Sequence, residues 1–285
     1  MSDLKYFAPT TLDEAVRLMA EYKGELKVLA GGTDLMPKIN YYENMPKAII
    51  YVGGLGLNYI KSDGKGLLIG AGTPIAKILQ SSEAAQLAPV LVEAAEQHSS
   101  PAIRSAGTIG GNIMNASPAA DMVVPLYAMD AVLTLVSGRG ERAIRIEEFF
   151  TGPGKTVCAP DELLKEIRVP QAGGKAAFIK LGKRKAQILS VISAAVRLDQ
   201  EGEACKDARI ALGSVAPTVI RCPQAEALLK GSRITPDLLC QAAEAAIGAC
   251  SPIDDVRATA WYRKEAGKGI VRQTLFAAAG LEYTY

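Results

Sequence analysis

The amino-acid sequence predicts an α+β fold in two domains, residues 1–172 and 173–285. A chain of 285 residues with 49% hydrophobic content is long enough to bury two cores. Strand-like and helix-like segments alternate as far as residue 170, whereas beyond it strands come first and helices follow. Between the two patterns, Pro170 and the pair Gly173 and Gly174 favour a domain junction.

The first domain is predicted to alternate helices with short strands. Thr11 and Glu14 have the spacing of a capping box, which predicts the start of an amphipathic helix. The segment from Glu83 to Gln97 is rich in alanine, leucine and glutamate and predicts one continuous helix. Segments typical of strands are Lys27–Ala30, Ala48–Val52, Gly66–Gly70, Val132–Val136, Ala143–Ile146 and Leu163–Val169, the fourth and fifth joined by a hairpin turn.

The second domain is predicted to begin with strands and to end with helices. Strand-like segments lie at 176–181, 190–198 and 207–214. Helical segments follow at 223–230, 236–249 and 256–279. This order is typical of a compact α+β domain.

The composition argues against several classes of partner. The 32 basic and 30 acidic residues are spread along the chain and leave a formal net charge of +2, so no surface for nucleic acid or anionic lipid is expected. No apolar run approaches the length of about 20 residues that a membrane-spanning helix needs, and the first residues contain no apolar leader segment. We therefore expect a cytoplasmic protein that binds neither nucleic acid nor a membrane.

The cysteines and the single histidine predict no metal site. The five cysteines are separated by at least nine intervening residues, so they are expected to be free thiols. His98, near the end of a predicted helix, is expected to be a surface or capping residue. No catalytic triad or activated cysteine pair can be assembled from this chain either, so its chemistry is expected to belong to a cofactor.

Two glycine-rich segments are candidate phosphate-binding sites. The first glycine segment, Ala30 to Asp34, directly follows a predicted strand, and the second, Gly107 to Asn112, alternates glycines with Thr108 and Asn112. Glycine lets the backbone approach a ligand closely, and consecutive amide groups in such turns bind anions. One Gly-Gly turn is weak evidence, but two together predict a site for the diphosphate of a dinucleotide.

A third glycine pair does not support a Rossmann fold. Gly70 and Gly72 follow a predicted strand, but Ile75 stands where the third glycine of the fingerprint is required. Pro74 also removes an amide donor from this turn. Two separate glycine segments therefore indicate a different way of binding a dinucleotide.

The glycine segments resemble those of a known family. Ala30 to Leu35, together with Ala106 to Asn112 and Asn115 to Asp121, resembles the paired FAD-binding loops of the flavoprotein subunits of molybdenum hydroxylases, the family of xanthine dehydrogenase and aerobic carbon monoxide dehydrogenase. Asp161 to Pro170 and Asp255 to Arg263 are similar to further segments of that family. The resemblance covers nearly the whole chain.

The resemblance implies the fold and the site. It implies a two-lobed FAD-binding domain of the vanillyl-alcohol-oxidase/PCMH type, followed by a smaller α+β C-terminal flavoprotein domain. It implies FAD, expected to be noncovalent because no histidine or cysteine is suitably placed for a covalent link, and these cofactor-binding residues: Leu29, Ala30, Gly31, Gly32, Thr33, Asp34, Thr108, Ile109, Gly110, Gly111, Asn112, Ser117, Asp121, Leu164 and Lys180. No residue of this chain is expected to be catalytic or to bind a metal.

Two of these residues have alternative interpretations. Asp121 matches an aspartate that accepts hydrogen bonds from the ADP portion of FAD, but its position also suits an exposed helix N-cap. Leu164 and Lys180 match positions beside the flavin ring. Lys180 is also the first residue of a basic run that continues through Lys183, Arg184 and Lys185, and such runs usually form solvated surfaces.

The resemblance also implies partners. In the family, an iron–sulfur subunit with [2Fe–2S] clusters passes electrons from a large molybdopterin-binding subunit to FAD, and NAD+ or another acceptor takes them onward. A dimer of heterotrimers acting on xanthine or another N-heterocycle is the expected assembly. The alternatives are an independent FAD-dependent oxidase or reductase of the same fold, and a module that has lost its cofactor.

Overall fold

The computed structural model describes residues 4–41, 46–184 and 187–283. Its first lobe is a three-stranded parallel sheet with the strand order β1-β3-β2, covered by one longer helix. The elements of this lobe are β1 (Lys5–Phe7), α1 (Leu12–Tyr22), β2 (Leu26–Leu29), α2 (Leu35–Asn40) and β3 (Ala48–Tyr51). The predicted N-cap of α1 is confirmed, because the Thr11 hydroxyl accepts a hydrogen bond from the Glu14 amide at 3.3 Å, whereas the Glu14 carboxylate accepts from the amide of Thr10 instead of Thr11.

The second lobe contains a five-stranded antiparallel sheet with the order β4-β5-β10-β6-β7. Its elements are β4 (Ile60–Ser62), β5 (Gly66–Gly70), α3 (Ile75–Leu79), α4 (Ser82–Leu87), α5 (Pro89–Gln97), α6 (Pro101–Ala106), α7 (Ile109–Met114), α8 (Val123–Ala128), β6 (Val132–Ser137), β7 (Gly140–Arg145), β8 (Phe150–Gly152), β9 (Lys155–Thr156) and β10 (Leu163–Pro170). The predicted hairpin is confirmed by the pairing of β6 with β7. One face of this sheet packs on helices α3, α5 and α8. The two glycine segments are in contact where the first lobe meets the second.

The continuous helix predicted from Glu83 to Gln97 is wrong. The structure contains two helices, α4 and α5, separated at Ala88, where φ is −146° and ψ is 56°. Pro89 causes the break, because a proline disfavours the helical conformation of the residue before it and supplies no amide hydrogen.

The C-terminal region is a four-stranded antiparallel sheet with helices on one face. Its elements are β11 (Lys175–Leu181), β12 (Ile192–Glu201), β13 (Ala204–Gly213), β14 (Ile220–Arg221), α9 (Pro223–Leu229), α10 (Pro236–Gly248) and α11 (Ala260–Ala279). The last helix starts at Ala260, four residues later than predicted, because the Thr259 hydroxyl caps it by accepting from the Tyr262 amide at 3.1 Å. Arg263 of this helix is 1% exposed and forms an ion pair with Asp255 at 2.7 Å.

The C-terminal sheet uses its other face to pack on the second lobe. Phe178 and Ala195 of this sheet belong to the same apolar core as helices α5 and α8. The Glu93 carboxylate of α5 also accepts a hydrogen bond from the Phe178 amide at 2.8 Å. This packing places Lys180 of β11 next to the second lobe. The predicted α+β class is confirmed. Among the described residues, no helix combines the length and apolarity needed to cross a bilayer.

Candidate cofactor site

Both glycine segments face one cleft with a volume of about 750 Å³. This volume is within the range of ligand sites that bury most of a large molecule. Twelve of the fifteen predicted site residues line the cleft: Ala30, Gly31, Gly32, Thr33, Asp34, Thr108, Gly110, Gly111, Asn112, Ser117, Asp121 and Leu164. Residues separated by more than a hundred positions in the sequence are therefore brought together on one surface.

The two glycine segments touch each other through their backbones. A Cβ atom on Gly31 would lie 1.8 Å from the carbonyl oxygen of Ala106, and one on Gly107 would lie 3.4 Å from the Thr33 hydroxyl. Glycine is required at position 31 because any side chain would collide with backbone atoms there. This contact joins the two segments into a single wall of the cleft.

The first glycine segment presents free amide groups. Across the described parts of the chain, the amides of Gly31, Gly32, Thr33 and Asp34 donate to no protein acceptor. Gly32 has φ +72°, which turns the backbone at the end of strand β2. Consecutive amides that are not used by the protein are suited to bind an anion such as a diphosphate.

The second glycine segment is organised differently from the predicted loop. Ile109 to Met114 form the short helix α7, whose N-cap is Thr108. The amides of Ile109 and Gly110 donate to the carbonyls of Thr73 and Ala71 at 3.0 and 2.9 Å, and the Gly111 amide donates to the Thr108 hydroxyl at 3.0 Å. These three amides are therefore used within the protein, and the segment contributes shape rather than free amides.

Two acceptor atoms on the cleft wall are buried without a hydrogen-bond partner. They are Oδ1 of Asn112 and Oδ1 of Asp121, as found among the described residues. Both residues line the cleft, and buried polar atoms in folded proteins almost always have partners, so two orphaned acceptors beside one cleft favour a ligand that donates hydrogen bonds.

Asp121 is held by two neighbours through its other oxygen. Its Oδ2 accepts a hydrogen bond from Nδ1 of His98 at 2.9 Å and from Nζ of Lys180 at 2.8 Å. Because a carboxylate only accepts, Nδ1 of His98 carries the proton. The exposed fractions of the three side chains are 15% for His98, 5% for Asp121 and 3% for Lys180. The burial of Asp121 rules out the alternative that it is an exposed helix N-cap, and the burial of Lys180 rules out the alternative that it belongs to a solvated basic surface. Lys185 of the same basic run lies outside the described residues.

Three predicted site residues do not line the cleft. Leu29 is the last residue of β2, directly before the first glycine segment, and Ile109 is fully buried in the core. Lys180 donates to Asp121, which does line the cleft, and to the carbonyl of Gln97 at 3.2 Å. Contact between these three residues and a ligand in the cleft remains a prediction.

The cleft also contains residues that the sequence alone did not suggest. His98 was expected on the surface or as a cap, but although it ends helix α5, its ring lines the cleft. Lys38 lines the cleft as well, where it donates to Asp34 at 2.6 Å and to Asn115 at 3.5 Å. The spacing of Asp34, directly before helix α2, and Lys38 within it was a signal for this ion pair, whereas His98 carried no local signal.

Glu162 forms the charged part of the wall near Leu164. Arg142 donates two hydrogen bonds to its carboxylate, at 2.6 and 2.7 Å, and these hydrogen bonds lower the pKa of Glu162. Beside it, Gln187 to Leu189 from the C-terminal region close one side of the cleft.

A cleft of this size, with free amides in one wall and buried acceptors beside it, is suited to a large ligand that carries phosphate. Comparisons with known proteins identify the class. Residues 2–172 match the model for the FAD-binding domain in molybdopterin dehydrogenase, and residues 177–278 match the model for the carbon monoxide dehydrogenase flavoprotein C-terminal domain. The chain therefore belongs to the family of FAD-binding subunits of molybdenum hydroxylases, and the resemblance inferred from its glycine segments is confirmed.

Individual relatives match along nearly their whole length. The alpha subunit of the 6-hydroxypseudooxynicotine dehydrogenase complex of Paenarthrobacter nicotinovorans is 34% identical over 277 residues, which are 96% of this chain and 93% of that protein. The xanthine dehydrogenase FAD-binding subunit of Escherichia coli O157:H7 is 30% identical and covers 96% of this chain and 97% of its own. A chain in the solved structure of a carbon monoxide dehydrogenase from Hydrogenophaga pseudoflava, which lacks the Mo-pyranopterin moiety of its molybdenum cofactor, is 33% identical with a TM-score of 0.94 and 97% of each chain covered.

Proposed function

We propose that FAD lies in the cleft with its diphosphate at the first glycine segment. The free amides of Gly31 to Asp34 are the donors that a diphosphate requires, and the ion pair of Lys38 with Asp34 keeps the carboxylate of this segment neutralised. The buried oxygens of Asn112 and Asp121 repel phosphate and accept hydrogen bonds, so they suit the hydroxyl and N–H groups of FAD. The residues present therefore fit the cofactor. Residues 1–172 hold most of these contacts, and residues 173–285 form a second domain that closes the cleft.

The chain is proposed to act as an electron relay within a larger complex. Bound FAD supplies the redox chemistry, and the protein supplies binding and orientation. The observation that carries this proposal is the cofactor cleft in a chain that matches a carbon monoxide dehydrogenase chain over 97% of both lengths. A relative that is named as a subunit of a dehydrogenase complex supports the same role.

The partners follow from this role. An iron–sulfur subunit with [2Fe–2S] clusters delivers electrons to FAD, a molybdopterin-binding subunit oxidises the substrate, and NAD+ is the proposed acceptor. The xanthine dehydrogenase relative favours xanthine or another N-heterocycle as the substrate of the complex. Substrate contacts belong to the molybdenum subunit in this proposal, and the complex is a dimer of heterotrimers.

The lone chain tests the relay proposal. Expressed by itself and reconstituted with FAD, it is expected to pass electrons between NADH or a dye and the flavin. It is expected to hydroxylate neither purines, aldehydes nor carbon monoxide. The matched control is the same chain without FAD, which should show neither reaction, and substrate hydroxylation by the molybdenum-free chain would overturn the proposal.

A further inference from the structure

Asp121 is the meeting point of three elements that are far apart in the sequence. It lies just before helix α8, His98 ends helix α5, and Lys180 belongs to strand β11 of the C-terminal sheet. Both hydrogen bonds to Asp121 go to Oδ2, whereas Oδ1 is buried and unpartnered in a residue that lines the cleft. Rotation of the carboxylate would break the two hydrogen bonds together, so its orientation is fixed.

The geometry determines what kind of group Oδ1 can meet. A carboxylate oxygen accepts hydrogen bonds and repels phosphate, so its partner must be an O–H or N–H group. Lys180 does not line the cleft and its side chain is 3% exposed, whereas Asp121, its ion-pair partner, does line the cleft. The Nζ of Lys180 is held by Asp121 at 2.8 Å and by the carbonyl of Gln97 at 3.2 Å.

We propose, on the basis of the placement of FAD proposed above, that His98 and Lys180 are positioning residues for Asp121. They hold Oδ2 so that Oδ1 accepts a hydrogen bond from a hydroxyl or N–H group of FAD. Lys180 then acts through Asp121, in place of the direct contact with the flavin ring that the family resemblance implies. Because Asp121 and Lys180 are in contact, both serve the same end of an extended FAD molecule.

Replacement of His98 separates a positioning role from a structural one. Asparagine can place an amide N–H where Nδ1 of His98 lies, whereas the longer glutamine places its amide near the position of Nε2. The affinity of the full-length chain for FAD is measured by titration of flavin fluorescence. Since a hydrogen bond to a charged group is lost, Asp121→Ala is expected to weaken binding about 10-fold to 100-fold. His98→Ala and His98→Gln are expected to weaken it about fivefold, and His98→Asn to restore it to within about twofold.

A double-mutant cycle gives the decisive readout. If His98 acts through Asp121, adding His98→Ala to the Asp121→Ala variant changes the FAD affinity by less than about twofold. The same result is expected for Lys180→Met in the Asp121→Ala background. Thermal melting of each apoprotein identifies any variant that fails to fold, and the His98→Asn and His98→Gln pair keeps the test valid if the alanine variant unfolds.

The outcomes distinguish this inference from the proposed function. Unchanged FAD affinity in His98→Ala, equal loss in the asparagine and glutamine variants, or additive effects in the cycle would each overturn the positioning role. Wild-type chain that binds no FAD would instead overturn the placement of FAD in the cleft. FAD bound with normal affinity but with no electron transfer to a dye would overturn the relay proposal alone.

Discussion

Replacement of Gly111 by valine tests the assignment of the cleft with little damage to the fold. A Cβ atom at this position would meet only the Thr108 hydroxyl, at 3.0 Å, so the rest of the valine side chain extends into open space on the cleft wall. Valine is a slightly better helix former than glycine, and this gain offsets the crowding at Thr108. The free energy of unfolding is therefore expected to change by less than about 1 kcal/mol.

The effect on FAD binding is expected to be much larger. The two methyl groups occupy space on the wall of the cleft that both glycine segments line, and they are expected to displace the ligand from the amides of the first segment. Each lost hydrogen bond to a charged diphosphate costs about 1.5 to 3 kcal/mol, so the loss of two weakens binding by about 100-fold or more. Titration of flavin fluorescence measures this loss, and thermal melting of the apoprotein checks the fold.

A matched control uses a glycine away from the cleft. Gly248 is exposed near the end of helix α10, and a Cβ atom there would meet no other atom within 4 Å. Gly248→Val is expected to leave both FAD affinity and stability unchanged.

Gly32→Val is a less clean test, because φ is +72° at Gly32 and a branched residue there also strains the backbone. Unchanged FAD affinity in Gly111→Val would refute the assignment of the cleft.

Three further predictions concern the buried ion pair, a thiol and the flavin. Asp255→Ala leaves the guanidinium of Arg263 buried without its carboxylate, so the chain is expected to lose about 3 kcal/mol of stability, seen as a lower melting temperature. Hydrogen bonds from Arg257 lower the pKa of Asp255 in the folded chain. The stabilisation by the Asp255 carboxylate is therefore present above the unfolded-state pKa of about 3.9 and is lost as the pH falls through the lower folded-state value. Equal stability of the variant and the wild type at pH 6 would contradict this role of Asp255. Burial raises the pKa of the Cys158 thiol to about 12. Thiol reagents at pH 8 should therefore label Cys158 about 100-fold more slowly in the folded chain than in the unfolded chain. Labelling at equal rates in both would be inconsistent with this burial. FAD is expected to be noncovalent, because Asp121 holds the ring of His98 and no described cysteine lines the cleft. Precipitation of the protein with acid should therefore release all the yellow colour. Colour that stays with the precipitate in the wild type, and is absent from it in His98→Ala, would show a covalent link to the histidine.

The order of elements and the glycine segments could be predicted because their signals are local. Thr11 and Glu14 mark the start of α1 by their spacing alone, and the first glycine segment directly follows the strand pattern of β2. The break between α4 and α5 also had a local signal, Pro89, which the favourable composition of the segment from Glu83 to Gln97 outweighed in the prediction.

The arrangement of the cleft could not be predicted because it depends on distant contacts. Helix α7 contains two glycines, which disfavour a helix, and it forms because the carbonyls of Thr73 and Ala71 accept its first amides. His98 and Asp121 are 23 positions apart, and Lys180 is 59 positions further along. No periodicity links such residues, so their contact is visible only after the C-terminal sheet has packed on the second lobe.

The relay role is tested most directly by purifying the chain from its native host through a small tag on its own terminus. The purified material is analysed for flavin, iron and molybdenum, and then mixed anaerobically with xanthine and, in parallel, with carbon monoxide and an aldehyde. The account predicts that iron and molybdenum subunits copurify with the chain and that one of these substrates bleaches the flavin absorption band of the complex but not that of the lone FAD-loaded chain. A flavin-containing chain that purifies without iron or molybdenum and oxidises a substrate by itself would contradict it.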